Sequence, residues 1–291
     1  MKIALGSVQF GIPYGVSNNE GKTSKKQALS ILNFAQKKGI RTIDTAPSYG
    51  DSERVLGKLF EGEEWDIITK TLPFNSKSIN EEQIEQLRSV FRESLVSLHK
   101  KSIYGLLVHS CNDLLKPGGE KIFREMERLR EIGMVKKIGV SVYNSKQIAA
   151  ILGKFNIDLI QLPINILDQR LVSGGQLTRL KNHGVEIHAR SVFLQGLLLM
   201  SPNNIPSWFD PVRGVLESFH KEAKKRNMSV LQLALSFVQS IDEIDKVIVG
   251  VNTLRQLQEV VSAASIRVNT TELSYISTDD PAFINPVNWK I

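Results

Sequence analysis

The sequence predicts an α/β protein built as a (β/α)₈ TIM barrel, a parallel eight-stranded barrel with outer helices, and three observations lead there. Strand-like and amphipathic helical segments alternate almost without exception along the 291 residues. Three helical segments stop on a glycine placed directly before a strand. The first strand is not followed by a G-x-G-x-x-G turn, which the competing architecture, a doubly wound dinucleotide-binding sheet, would need; Gly6, Gly11 and Gly15 have the wrong spacing.

The elements follow in order. Strand-like runs are expected at Lys2 to Leu5, Thr42 to Ala46, Trp65 to Thr71, Ile103 to His109, Lys137 to Val142, Leu159 to Asn165, Glu186 to Phe193 and Lys246 to Val251, from their β-branched and apolar content. Helical periodicity is expected at Lys25 to Lys38, Asp51 to Phe60, Glu81 to His99, Glu120 to Ile132, Ser145 to Lys154, Gly175 to Asn182, Pro211 to Arg226, Val230 to Ser240 and Leu254 to Ala264. Gly39, Gly133 and Gly184 sit where a left-handed carboxyl cap belongs, and Asp51 or Ser52 can cap the helix through Val55 and Leu56. No linker, low-complexity tract or short repeat divides the chain, so residues 1–291 read as one domain. The segment 269–291, rich in Thr, Asp, Pro and aromatics, is a tail that could reach the barrel mouth.

Composition narrows the function. With 42% hydrophobic residues the chain reads as a soluble globular protein, and no window approaches the roughly 20 apolar residues of a membrane span. The amino terminus runs straight into strand-like sequence without a secretory pattern, which makes the cytoplasm the expected location. The net charge of +7 arises from lysine pairs such as Lys25-Lys26, Lys37-Lys38, Lys100-Lys101 and Lys224-Lys225, spread over helix surfaces without interleaved aromatics. That pattern predicts a solvated surface that attracts anionic cofactors, and no nucleic-acid partner. The single cysteine, Cys111, excludes an intrachain disulfide, and the five histidines lack metal-ligand spacing, so no metal is expected.

Chemically useful side chains gather at the carboxyl ends of consecutive strands. The second strand gives Asp44, with Tyr49 in the loop beyond; the third ends on Lys70; the fourth ends on His109. Singly, each has a structural explanation: a turn cap, an exposed loop residue, a rim lysine, a satisfied histidine. Together they make a proton-donating device. A phenol with an ordinary pKa of about 10 is a poor donor near neutrality, and a neighbouring ammonium would stabilise its phenolate and lower that value. Asp44 would fix the ammonium, and His109 could hydrogen-bond a substrate carbonyl.

The blocks Gly39 to Leu56, Ile68-Thr69-Lys70, Leu106-Leu107-Val108-His109, Lys137-Ile138-Gly139-Val140-Ser141 and Ile160-Gln161-Leu162-Pro163-Ile164-Asn165 resemble those of the aldo-keto reductase superfamily. Its members are (β/α)₈ NADP(H)-dependent oxidoreductases. The resemblance implies Tyr49 as general acid, Lys70 and Asp44 as its tuners, and His109 as the carbonyl-orienting residue. It implies Ser141 and Gln161 at the nicotinamide carboxamide, although the asparagine usual beside that serine is Val142. Arg190-Ser191 stands where the family often has a stacking tyrosine and a serine near the pyrophosphate, and a guanidinium plane could stack in the tyrosine's place. The segment from Val249 to Glu259 matches the adenosine-phosphate loop and helix. Gly250 replaces the usual lysine and Gln256 the usual arginine, with Arg255 next door. Backbone amides at Val251, Asn252 and Thr253 could hold a phosphate, and Glu259 matches an adenine contact. NADP(H) is expected before NAD(H).

The expected activity is reversible reduction of an aldehyde or ketone, a small-molecule carbonyl substrate, by a monomer or weak oligomer. Gln9, Phe10, Tyr143, Asn165 and Trp289 are candidate pocket residues, and the polar set including Asn165 and Arg190 tilts toward a hydroxylated, sugar-like compound. Two alternatives stand beside this one: a nucleotide-sensing partner protein with slow chemistry, like the potassium-channel β-subunits of the superfamily, and a (β/α)₈ lyase using Lys70 as a Schiff base.

Overall fold

The computed structural model describes residues 1–60 and 64–290; Ile291, the end of the expected tail, lies outside them. Eight strands, β1 (Ile3–Gly6), β2 (Thr42–Asp44), β3 (Asp66–Lys70), β4 (Ile103–Val108), β5 (Val135–Ser141), β6 (Leu159–Pro163), β7 (Glu186–Arg190) and β8 (Lys246–Gly250), form a closed barrel in sequence order. All neighbours are parallel, and β1 closes on β8 through Ile3↔Val247 to Gly6↔Gly250. Parallel neighbours need a crossover, and each is supplied by a helical segment.

β2, β6 and β7 each end two or more residues earlier than their β-branched content suggests. β2 stops at Asp44 because Ala46 and Pro47 turn the chain, with Tyr49 N–H bonding back to the Ala46 carbonyl at 3.0 Å. β6 stops at Pro163 because Asn165 builds its own turn, its Oδ1 accepting from the amides of Leu167 and Asp168, both at 2.9 Å. β7 stops at Arg190 because Ser191 adopts a φ of +60°. The three glycines expected as carboxyl caps all take positive φ: 75° at Gly39, 74° at Gly133 and 71° at Gly184. Helix starts follow the same local logic. Ser24 caps Lys25–Lys37, Asn80 with Gln83 boxes Glu81–Ser97, and Ser229 with Gln232 boxes Val230–Gln239.

Side-chain alternation along the strands explains both the core and the site. One large apolar cluster includes barrel residues such as Ile43, Ile67, Leu106, Ile160 and Ile187 with helical residues such as Ile31, Leu56, Leu87, Ile148 and Leu257. A second, small cluster of Ile68, Leu107 and Leu159 is separate from it and marks the other face of the strands. Two residues on, that same face presents Lys70, His109 and Gln161. At the opposite, amino-terminal end, Tyr104 Oη donates to Glu186 Oε2 (2.6 Å), His188 Nε2 lies 2.6 Å from Glu186 Oε1, and Lys137 pairs with Glu186. Burial opposes the charge on Glu186, and these three partners outweigh it, holding the carboxyl well below the usual carboxylate range.

The tail packs on the segments that follow β6 and β7. Gln169 Nε2 donates to the carbonyls of Leu273 and Ile276 at 3.0 and 3.2 Å, and Thr278 N–H bonds the Leu167 carbonyl at 3.0 Å. Trp289 stacks edge-on against Phe209, with ring centroids 4.9 Å apart.

Candidate active site

A cavity of about 630 Å³ opens at the carboxyl ends of the strands, and its walls include Asp44, Tyr49, Lys70 and His109. The loop that carries Tyr49 is pinned at both ends. Thr45 N–H bonds the Ile68 carbonyl at 2.8 Å, and Ser52 Oγ lies 2.7 Å from Ser7 Oγ, which itself donates to the Asp44 carbonyl at 2.9 Å. Ser52 therefore ties the start of helix Ser52–Leu59 to the end of β1. Neither residue expected to cap that helix does so with its side chain: Asp51 pairs with Lys22 and Arg54 instead.

Lys70 is 2% exposed and donates to Asp44 Oδ1 at 2.7 Å and to the Thr45 carbonyl at 2.8 Å. Its Nζ lies 4.9 Å from the centroid of the Tyr49 ring. An ammonium has three donors, and the two fixed bonds leave the third for the phenol side. Burial pulls the Lys70 pKa down, but Asp44 and Tyr49 pull it up and win, so the group is held as a cation. Burial pushes the Tyr49 phenol up, and the downward pull of Lys70 does not offset it. The sequence-based expectation of a lowered phenol value is corrected in this respect: desolvation is the larger effect, and Tyr49 keeps its proton across the neutral range.

His109 meets Tyr49 edge-on, with ring centroids 6.2 Å apart and planes at 86°. Its Nδ1 lies 3.4 Å from Ser48 Oγ. Burial first, then the cations Lys70 and Arg190, lower its pKa to about 4, so the imidazole is neutral near pH 7. In the tautomer where Nδ1 accepts from Ser48, Nε2–H is a neutral donor.

Across the cavity stand Ser141, Gln161 and Arg190, from adjacent strands in the registers Ser141↔Gln161 and Pro163↔Arg190. Gln161 Nε2 donates to Asp44 Oδ1 at 2.7 Å. A carboxylate only accepts, so this bond fixes the amide orientation and leaves Gln161 Oε1 as an acceptor. Val142 is fully buried, and its carbonyl accepts from Arg190 Nη2 at 3.2 Å. The Arg190 guanidinium carbon sits 4.3 Å from the centroid of Tyr143, and Ser191 Oγ lies 3.2 Å from Nη1.

Toward the other end the walls include Gln9, Gly250, Val251, Asn252, Arg255, Gln256 and Glu259. Gln9, 8% exposed, leaves its Oε1 buried without a hydrogen-bond partner, and a Cβ on Gly250 would come within 2.5 Å of that atom. A cavity of this volume, lined by residues from β1 through β8 and holding an orphaned buried acceptor, fits a dinucleotide. Thr253, expected to offer a phosphate-binding amide, is absent from the walls. It caps helix Leu254–Ala263, and Gln256 Oε1 takes the amides of both Asn252 (2.7 Å) and Thr253 (3.2 Å). The capping box takes two of the three amides that the sequence pattern offered to phosphate, those of Asn252 and Thr253, and Val251 stays on the cavity wall.

Three candidate pocket residues do not line the cavity. Phe10 is fully buried in the main core, because the short helix Val8–Gly11 turns it inward. Asn165 is fully buried and spent on its own turn and on the Ser191 carbonyl, to which its Nδ2 donates at 3.1 Å. Trp289 is held by Phe209 and by the Phe283 carbonyl, which accepts from its Nε1 at 2.9 Å. Gln9 and Tyr143 do line it. The loops after the first and seventh strands were expected to line the pocket, but Ser17 to Glu20 and Gln195 within them were not singled out; the Gln195 carbonyl accepts from Val16 N–H at 2.9 Å and ties the two loops beside the cavity. The Asn18-Asn19-Glu20-Gly21 turn chemistry was the available signal. Cys111 is buried, and burial pushes its thiol up to about 12. Among the described residues, no group of three or more His, Cys, Asp or Glu could hold a metal ion, and no helix is long and apolar enough to cross a membrane.

The class this barrel and site define is borne out by comparison with known proteins. The Aldo/keto reductase family profile matches residues 2–278, and the chain belongs to that family. Among curated relatives it is 26% identical over 267 residues to the uncharacterised oxidoreductase YqkF of Bacillus subtilis, covering 86% of each chain. It is likewise 26% identical over 277 residues to L-galactose dehydrogenase of Arabidopsis thaliana, covering 89% of this chain and 82% of that one. The holo form of aldo-keto reductase AKR11C1 from Bacillus halodurans superposes with a TM-score of 0.74 at 20% identity, over 94% of this chain and 90% of the other.

Proposed function

We propose that this protein reduces an aldehyde or ketone to an alcohol with a nicotinamide dinucleotide as hydride donor, Tyr49 acting as the general acid. The observation that carries the reading is the convergence of Tyr49, Lys70, Asp44 and His109 on one cavity that also holds Ser141 and Gln161. A reduced nicotinamide supplies a hydride to the carbonyl carbon. The chain's own residues manage the oxygen. His109 Nε2–H orients and polarises the carbonyl as a neutral donor, so that it does not itself give up a proton. The Tyr49 hydroxyl delivers its proton as the oxygen gains negative charge, and the Lys70 ammonium stabilises the phenolate left behind. Asp44 holds Lys70 in place, and through Gln161 it couples the acid side of the cavity to the carboxamide side.

The finer reading is NADP(H) before NAD(H), with Arg255 as the cation for the 2′-phosphate. Arg255 is largely exposed and only loosely paired with Glu259, at 4.0 Å, which leaves it free to turn toward a phosphate. The other two family cations are missing at Gly250 and Gln256, so Arg255→Ala is expected to weaken NADPH binding about tenfold and NADH binding little. Equal losses for the two nucleotides in a fluorescence titration would remove Arg255 from this role. The polar lining of the cavity favours a hydroxylated, sugar-like carbonyl compound, and a panel of aldoses against apolar aldehydes tests that.

The Schiff-base reading of Lys70 is disfavoured by its surroundings. A nucleophilic lysine must be unprotonated, whereas this one is held as a cation by a carboxylate at 2.7 Å. Borohydride treatment with substrate is expected to leave Lys70 unmodified. The partner-protein alternative predicts nucleotide binding without turnover of any aldehyde or sugar carbonyl in the same panel.

A further inference from the structure

The charges facing the reaction end of the cavity do not balance. Lys70 is neutralised by Asp44 at 2.7 Å, and the His109 imidazole is neutral. Arg190 lies on the same wall as Ser141 and Gln161, and its contacts among the described residues are all uncharged: Ser191 Oγ, the Val142 carbonyl and the Tyr143 ring. Its Nε is buried without any hydrogen-bond partner. A guanidinium cannot shed its proton to relieve this arrangement. One uncompensated positive charge therefore stands beside whatever occupies the space between Tyr49 and the Ser141 and Gln161 wall.

Given the nucleotide reading above, on which this step rests, that occupant is a nicotinamide ring whose charge changes with oxidation state: the oxidised ring is cationic, the reduced ring neutral. An adjacent guanidinium repels the first and can stack on the second without electrostatic cost. We infer that Arg190 makes the site discriminate between the two oxidation states of its dinucleotide, binding the reduced form more tightly than the oxidised form. The Tyr143 ring and the Val142 carbonyl hold the guanidinium so that it cannot swing away from an incoming cationic ring.

The consequence lies in loading and release. From a mixed pool the protein takes up reduced nucleotide and lets oxidised nucleotide go, so oxidised nucleotide inhibits weakly as a product. By linkage the bound couple is easier to reduce than the free couple. Drive is thereby lost in the bound step and gained in the exchange steps, an arrangement suited to a reductase working where both forms are present.

The test is a fluorescence titration of NADPH, NADP⁺, NADH and NAD⁺ against the wild-type chain, Arg190→Gln and Arg190→Lys. For the preferred nucleotide the wild-type ratio of oxidised to reduced dissociation constants is expected to be on the order of tenfold or more above unity. It should fall at least several-fold in Arg190→Gln, chiefly through tighter binding of the oxidised form, and be largely kept in Arg190→Lys, which retains the charge without the planar fork. A ratio unchanged by Arg190→Gln overturns the inference while leaving the nucleotide reading intact. A ratio lost equally in both variants also overturns it, since planarity would then be the cause. No binding of any nucleotide to the wild-type chain overturns the reading on which it rests, and the inference with it.

Discussion

Replacing Lys70 by methionine removes one half of a buried ion pair and leaves the other half in place. Lys70 and Asp44 are 2% and 5% exposed and 2.7 Å apart, so the carboxylate left behind is poorly solvated. Asp44 keeps the bond from Gln161 Nε2, which returns only part of the loss. Breaking such a pair from one side costs about 3–5 kcal/mol. For a chain of this size that lowers Tm by on the order of 10 °C. The Thr45 carbonyl also loses its 2.8 Å donor, which adds to the loss and loosens the loop leading to Tyr49. Thermal and urea unfolding of Lys70→Met, Asp44→Asn and the double variant give the coupling. The double variant should regain at least half of the single-variant loss, because no unpaired charge remains buried. If Lys70→Met costs less than about 1 kcal/mol, or the double variant is no more stable than Lys70→Met, the pair does not hold the site as argued.

The remaining predictions concern the site's other supports. His109 has a folded pKa of about 4, below its unfolded value of about 6.5, so the unfolded chain binds the extra proton first as pH falls. Stability should therefore decline from about pH 6.5 toward pH 4 by up to about 3 kcal/mol from this group, and His109→Asn should flatten that part of the urea-midpoint profile. Gly11 lets helix Val8–Gly11 touch the tyrosine loop: a Cβ there would sit 1.6 Å from the Tyr49 carbonyl oxygen and 2.7 Å from the Ser52 nitrogen. Gly11→Ala must displace the loop, with an expected cost of about 1–3 kcal/mol and a fall in kcat larger than any change in nucleotide affinity; an unchanged kcat would mean the loop relaxes without moving the phenol.

The barrel and its acid cluster were legible because both depend on short-range periodicity. Alternation along a strand put Lys70, His109 and Gln161 on the inner face once the strands were located, and the three capping glycines fixed where strands begin. What sequence could not convey was competition for the same polar group. Asn165 looks like a cavity residue at a strand end, yet its carbonyl oxygen is consumed by two amides of its own turn. Thr253 and Asn252 look like a phosphate-binding helix start, yet Gln256 reaches back and takes both amides. Trp289 is claimed by Phe209, a partner distant in sequence. The sign of the Tyr49 shift was missed for a related reason: the spacing of Lys70 is visible in the chain, whereas the depth of burial that outweighs it is a property of the packed barrel.

The most direct test of the account is the decay of nicotinamide absorbance when the protein is mixed with NADPH or NADH and a reactive aromatic aldehyde, beside a Tyr49→Phe variant. The account predicts turnover by the wild-type chain, and a loss of about 10²–10⁴-fold in kcat in the variant with nucleotide affinity retained. Turnover by Tyr49→Phe at the wild-type rate would contradict it, since the proton would then come from a group other than the phenol beside Lys70.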